Sequence, residues 1–173
     1  MDIDQKHWER HFALSDGRPI HVRPIRPDDE ALYGPFVAAT TAEDIRLRFF
    51  GPVKDFNHAF LSRFTQLDYA RAMAFIALDG ATREMLGVAR LHATDDGNSA
   101  EFAIIVRSDM KGHGLGWHLM QLIIAYGRAK PYRSIQGMVL RENAGMLKMC
   151  RELGFAIAPD PADGDICNVK LDF

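Results

Sequence analysis

The sequence predicts an α/β protein, with a mixed, mostly antiparallel sheet flanked by helices. Three observations predict it. Short apolar runs at 71–78, 85–93 and 100–106 are separated by tight turn signals, Asp79-Gly80 and Asp95-Asp96-Gly97-Asn98, so they read as antiparallel neighbours. The third run passes through a Gly-rich turn into a long amphipathic helix and on to a further run at 133–140. That is a βαβ unit, which calls for a parallel pair. A short helix signal at 143–153 then precedes two more strand candidates, 155–158 and 166–171, around a Pro/Asp/Gly loop.

At 173 residues the chain has the length of one domain, 1–173, of which 1–16 reads as a polar lead-in. The lead-in has no apolar core of the kind a signal peptide needs. His7 and His11 are four apart, but HWERH lacks the H-E-x-x-H order and a third ligand nearby. A solvated helix face, with no metal, is therefore expected. Asp16-Gly17 marks a turn, and 19–26 alternates as a first strand. Pro27-Asp28-Asp29-Glu30 suits a helix start: Pro fits the first turn, and the acids face the positive end of the dipole. Helices follow at 42–50, stopped by Gly51-Pro52, and at 57–66, with Phe60, Leu61 and Phe64 as a core-facing stripe. Asn143 caps the late helix and Gly154 stops it.

Composition narrows the function classes. A net charge of −2 gives none of the basic excess of nucleic-acid binders. No apolar run reaches the length of a membrane span, so no membrane partner is expected. Cys150 and Cys167 make no disulfide framework, which fits a reducing cytoplasm.

The stretch from 100 to 122, AEFAIIVRSDMKGHGLGWHLMQL, carries the chemistry. Alternation puts Glu101, Ala103 and Ile105 on one face of the strand and Phe102, Ile104 and Val106 on the other. Glu101 is the only ionisable side chain inside it. A carboxylate among apolar neighbours is expected to be desolvated, which strengthens a base. Gly112, Gly114 and Gly116 then let the backbone approach a ligand and leave the first N–H groups of the helix without partners. With the helix dipole and Lys111 beside them, those donors form an anion site. A P-loop is excluded, because Trp117-His118 follows Gly116 where Lys-Ser/Thr belongs. A dinucleotide fingerprint is excluded too, because Trp117 sits where its last Gly belongs.

Val106-x4-Lys111-x2-Gly114-x-Gly116 resembles the acyl-CoA pyrophosphate motif, [QR]-x-x-G-x-[GA], of the GNAT N-acetyltransferase superfamily. Lys111 stands where Gln or Arg is usual. The resemblance runs from about His21 onward, and the order of elements is that of the superfamily's fold. It implies acetyl-CoA as acyl donor, with no metal. It also implies pantetheine and the thioester oxygen on the backbone of Ile104, Ile105 and Val106. The pyrophosphate would rest on Lys111, Gly112, His113, Gly114, Leu115, Gly116 and Trp117, and Asn143 would contact the cofactor arm.

The segments RPIRPDDE, EDIRLRFFGP, RFTQLDYARAMAF, AEFAIIVRSDMKGHGLGWHLM and RENAGMLKMCRELGF, in this order, are more specific. Together they resemble the acetyltransferase domain of the bacterial protein lysine acetyltransferases. That resemblance implies a protein lysine as acceptor, on an acyl-CoA synthetase or another metabolic enzyme. It implies Glu101 as general base, and Asp68 and Tyr69 at the acceptor groove. Two departures stand out. Ala70 and Ala72 replace a further acidic pair, and Cys150 occupies the place where many relatives have an acidic Tyr. A thiol there reads as core filler. Two other readings share the loop: an N-acetyltransferase of a small amine such as a polyamine or amino acid, and a non-catalytic acyl-CoA sensor. Glu101 argues against the sensor.

Overall fold

A computed structural model describes residues 3–173; Met1 and Asp2, the first residues of the polar lead-in, lie outside the described residues. Eight strands form one sheet in the order β1-β2-β3-β4-β5-β6-β8-β7. Every neighbouring pair is antiparallel except β5 with β6. The mixed, mostly antiparallel sheet read from the sequence is the one observed.

The lead-in is more structured than expected. Helix α1 (Ile3–His7) ends where Trp8 turns into the core, and strand β1 (Arg10–Ala13) pairs along β2 (Pro19–Pro24). Gly17, at φ +87°, closes the turn between them. His7 and His11 therefore do not share a helix. The helical spacing breaks at Trp8, and His11 instead lies directly across from His21 on β2.

At the end of β2, Arg23 makes a buried bidentate pair with Asp29, both contacts 2.7 Å. Asp29 also accepts the Arg26 N–H at 2.7 Å. This fixes the chain's entry into α2 (Glu30–Ala38), which α3 (Ala42–Phe49) and α4 (His58–Thr65) follow. Thr41 and Asn57 cap the last two by accepting from Asp44 N–H and Phe60 N–H.

Strand β3 (Ala72–Asp79) shows why its sequence is apolar throughout: both faces are covered. Met73, Phe75 and Ala77 face one core, and Ala74, Ile76 and Leu78 face the other. The first core is closed by α5 (Leu115–Ala129) and α6 (Ala144–Glu152), the second by α2, α3 and α4. Strands β4 (Met85–Ala93), β5 (Ser99–Val106) and β6 (Ser134–Leu140) continue the sheet, and β7 (Ala156–Pro159) and β8 (Ile166–Asp172) finish it.

Gly137 of β6 is required by packing. A Cβ there would stand 2.7 Å from Cε1 of the Phe102 ring, which lies across it and packs edge-on against Phe155. Gly137→Ala is therefore expected to destabilise the fold by about 1–3 kcal/mol, the usual cost of overpacking. Urea unfolding checks this; a neutral result would mean that Phe102 moves freely.

Candidate active site

Parallel pairing between β5 and β6 covers only Ser99↔Ser134, Ala100↔Ile135 and Glu101↔Gln136. Beyond that the strands part. β5 stays paired to β4, and β6 stays paired to β8. The gap between them holds a cavity of about 1240 Å³, with Glu101 at its apex and Gly112, Gly114 and Trp117 along its far wall.

Hydrogen-bond alternation decides which peptide groups face this gap. Arg107 N–H donates to Leu86 O at 2.8 Å, and Thr94 N–H donates to Ser99 O at 2.9 Å. In that register residues 101, 103 and 105 bond to β4. Ile104 and Val106 turn their N–H and C=O groups toward the gap, beyond the last β6 pair. Ile105, expected with them, spends its peptide groups on Val88 and contributes its side chain to the lining.

The loop after β5 is built on left-handed backbone. Gly112 has φ +81° and Gly114 φ +87°, and a Cβ at either would meet nothing within 4 Å. The first intrahelical bond is His118 N–H to Gly114 O. The N–H groups of Leu115, Gly116 and Trp117 thus have no partner within α5. This is an open cradle of donors at the positive end of a helix, a fit for a phosphate or pyrophosphate.

Two expected loop residues are turned elsewhere. Leu115 is wholly buried, so only its backbone is available. The His113 imidazole faces Asp16, with Nδ1 3.6 Å from the carboxylate, and does not line the cavity. Lys111 lines it, but its Nζ donates to Asp44 Oδ1 at 2.6 Å, so its charge is already engaged.

Glu101 is exposed at the apex, with His92 across from it on β4 and Gln136 on β6. The apolar enclosure expected around it is absent, because the parting of β5 and β6 opens its side of the sheet to solvent. Its isolation is electrostatic. Among the described acidic residues lining the cavity, Asp44 faces Lys111, Glu142 faces Arg46 and Glu152 faces Lys148, whereas Glu101 faces no cation.

Asn143 lines the cavity and caps α6 at once, its Oδ1 accepting from Met146 N–H at 3.2 Å. That leaves its side-chain NH₂ as the group able to meet a ligand. Asp68 and Tyr69 do not line the cavity. Asp68 accepts from the Ala70 N–H in the turn before β3, and the Tyr69 hydroxyl donates to Ile25 O. Cys150 is fully buried in the core, and burial pushes its thiol pKa up to about 11, which makes it filler rather than acid or nucleophile.

The C-terminal end of α3 was not picked out as part of the site. Leu47, Arg48, Phe49 and Phe50 line the cavity, where Phe50 and Met138 are exposed. Burial, and then neighbouring Arg90, lower the Arg48 pKa to about 10. The signal available was the EDIRLRFFGP segment itself, which mixes charge with an unusual aromatic pair. Helix α3 also bridges the gap. Asp44 bonds Lys111 and Ser108 on the loop side, and Arg46 bonds Glu142 at the end of β6.

Residues 20–156 match the acetyltransferase (GNAT) domain family. The chain belongs to the GNAT acetyltransferases. It is similar to Acetyltransferase PA5475 of Pseudomonas aeruginosa, 31% identical over 164 residues, covering 93% of this chain and 87% of that protein. It is also similar to Acetyltransferase Pat of Mycolicibacterium smegmatis, 27% identical over 141 residues; that match takes in 80% of this chain but only 41% of the mycobacterial protein. Among solved structures, the GNAT domain of S. lividans PAT superposes with a TM-score of 0.88 at 26% identity, over 96% of this chain and 98% of that one. Membership makes the protein an acetyl-CoA-dependent N-acetyltransferase. None of its described helices is long and apolar enough to cross a membrane.

If the backbone cradle rather than Lys111 holds the donor's phosphates, Lys111→Ala should weaken acetyl-CoA binding by less than about tenfold, since an exposed ion pair is worth roughly 1 kcal/mol or less. Gly114→Glu adds strain at φ +87° and a negative charge, and should abolish binding. Calorimetry on both variants checks this; loss of binding in Lys111→Ala would assign the phosphates to the lysine.

Proposed function

We propose that this GNAT acetyltransferase moves an acetyl group from acetyl-CoA to a lysine side chain of a protein, with Glu101 as general base. The observation that carries the reading is the single cavity that joins an unpaired carboxylate at its apex to the donor cradle at its far wall. Acetyl-CoA would lie along the parted edge of β5, its pyrophosphate on 112–117 and its pantetheine on the free peptide groups of Ile104 and Val106.

A lysine amine has a pKa near 10.4 and arrives protonated. Glu101 accepts that proton, directly or through one water. The amine nitrogen then forms a bond to the thioester carbon, and the carbonyl oxygen takes up the charge against a β5 N–H. Collapse breaks the carbon–sulfur bond, CoA leaves as thiolate, and the second proton of the attacking nitrogen passes to that thiolate or to water. A free thiol titrates near 8.5, so the leaving group needs no strong acid, which agrees with a buried Cys150 where many relatives place a Tyr. Orientation in the cavity supplies much of the remaining acceleration.

Three features favour a protein acceptor over a polyamine. Glu101 is exposed at the apex, where the end of a tethered lysine can reach it. Phe50 and Met138 present exposed apolar surface beside it. Arg48 puts a cation on the acceptor side, which repels a polycation more than a single amine. The resemblance to bacterial protein lysine acetyltransferases, together with the likeness to the S. lividans PAT domain, supports an acyl-CoA synthetase as the acceptor to try first.

The test is intact-protein mass spectrometry of a purified AMP-forming acyl-CoA synthetase incubated with this enzyme and acetyl-CoA. One added acetyl group is the expected result. No added mass, with CoA released in the presence of a free polyamine or amino acid, would transfer the reading to a small amine. Glu101→Gln should lower turnover by about 10²-fold or more near neutral pH while leaving acetyl-CoA affinity nearly unchanged; wild-type turnover would remove Glu101 from the chemistry.

A further inference from the structure

Away from the cavity, at the other end of the sheet order, β1 and β2 bring together three side chains that the sequence keeps apart. His11 and His21 are direct cross-strand partners, and their rings lie face to face at 4.2 Å and 8°. Glu9, two residues before His11, reaches the same cluster, and His21 Nε2 stands 3.1 Å from Glu9 Oε2. One ligand atom from each of Glu9, His11 and His21 lies within 4.8 Å of the others. Glu9 and His21 are half-buried and His11 is exposed, so the cluster is anchored yet open to solution.

We propose that Glu9, His11 and His21 form a binding site for a divalent transition-metal ion, with Zn²⁺ the best match. Two imidazoles and one carboxylate are a zinc-type donor set. Bonds of about 2.0–2.2 Å at tetrahedral angles put ligand atoms roughly 3.4 Å apart; the three atoms already lie within 4.8 Å, and the two stacked rings must turn out of their parallel arrangement so that their in-plane lone pairs converge on the ion. A fourth position remains for water. The strand pairing does the pre-organising: backbone hydrogen bonds fix the two imidazoles side by side before any ion arrives.

The hydrogen bonds on His21 say how the ion enters. Arg83 Nη1 donates to His21 Nδ1 at 3.0 Å, so that nitrogen offers a lone pair and the ring proton sits on Nε2, shared with Glu9. The ion takes the place of that proton between Nε2 and Glu9. The proton then has to sit on Nδ1, which Arg83 can no longer bond. Arg83 is exposed in the turn between β3 and β4, so it is free to swing away, but it opposes the ion both by tautomer and by charge. Its removal should tighten binding. A bound ion would clamp β1, a four-residue edge strand, onto β2.

The experiment is a titration of the full chain with Zn²⁺ near neutral pH, in competition with a chromophoric zinc chelator. One tight equivalent is expected. His11→Gln, on an exposed side chain, should weaken it about 100-fold or more, His21→Gln likewise, and Arg83→Ala should tighten it several-fold. Zinc should raise the melting temperature of the wild type and not that of His11→Gln. Unchanged affinity in both histidine variants would place the zinc elsewhere on the chain and overturn the proposal, as would the lack of any binding tighter than the millimolar range. A tightening in Arg83→Ala that vanishes when His21→Gln is added would locate the ion at this imidazole.

Discussion

Three residue pairs hold β5 to β6, and the site exists because the pairing stops there. A parallel pair that ran the full length of both strands would close the gap and consume the N–H groups of Ile104 and Val106 on β6. The parting is imposed from both sides. β5 remains committed to β4 and β6 to β8 along their lengths, so each wall keeps its own partner and the space between them is a wedge. Phe102 lying over Gly137 stands just past the last pair, where the wedge begins. The order of the lining follows the geometry: the last paired residue of β5 is Glu101, and the long helix after the strand begins at the glycine cradle.

The wedge also organises charge. Acidic residues along its walls are each engaged by a lysine or arginine, except the one at its apex. Among the described residues, the Glu101 carboxylate is left without an ion-pair partner at the point where β5 and β6 part. Arg48 and Arg90 stand on the same side of the sheet, half-buried, with Arg90 held by the Tyr33 hydroxyl and the Phe64 carbonyl. Together they place two cations on that side of the sheet, one of them, Arg48, in the cavity lining.

Much of this was legible in the sequence, and the parts that were not share a cause. Strands β3, β4 and β5 and the helix from Leu115 announce themselves through turn residues and apolar runs that obey local rules. So does the glycine loop, because Gly112 and Gly114 are needed for their left-handed backbone. What failed is non-local. Strand β1 is four residues of mixed polarity whose only reason to be a strand is its partner β2. Glu101 was placed on the right face, but its exposure depends on where β6 stops following β5. The His11–His21 pairing is a matter of register between two strands; the sequence instead suggested His7, whose spacing fits a helix that ends before His11.

Helix α3 has one further consequence. It is fastened to the loop side of the wedge through Asp44 and to the β6 side through Arg46, and it supplies Arg48 and Phe50 to the space between. A brace attached to both jambs sets the width of a doorway. This one is spanned by two ion pairs, Lys111–Asp44 at the loop and Arg46–Glu142 beyond β6, so one short helix touches both walls and also lines the space between them.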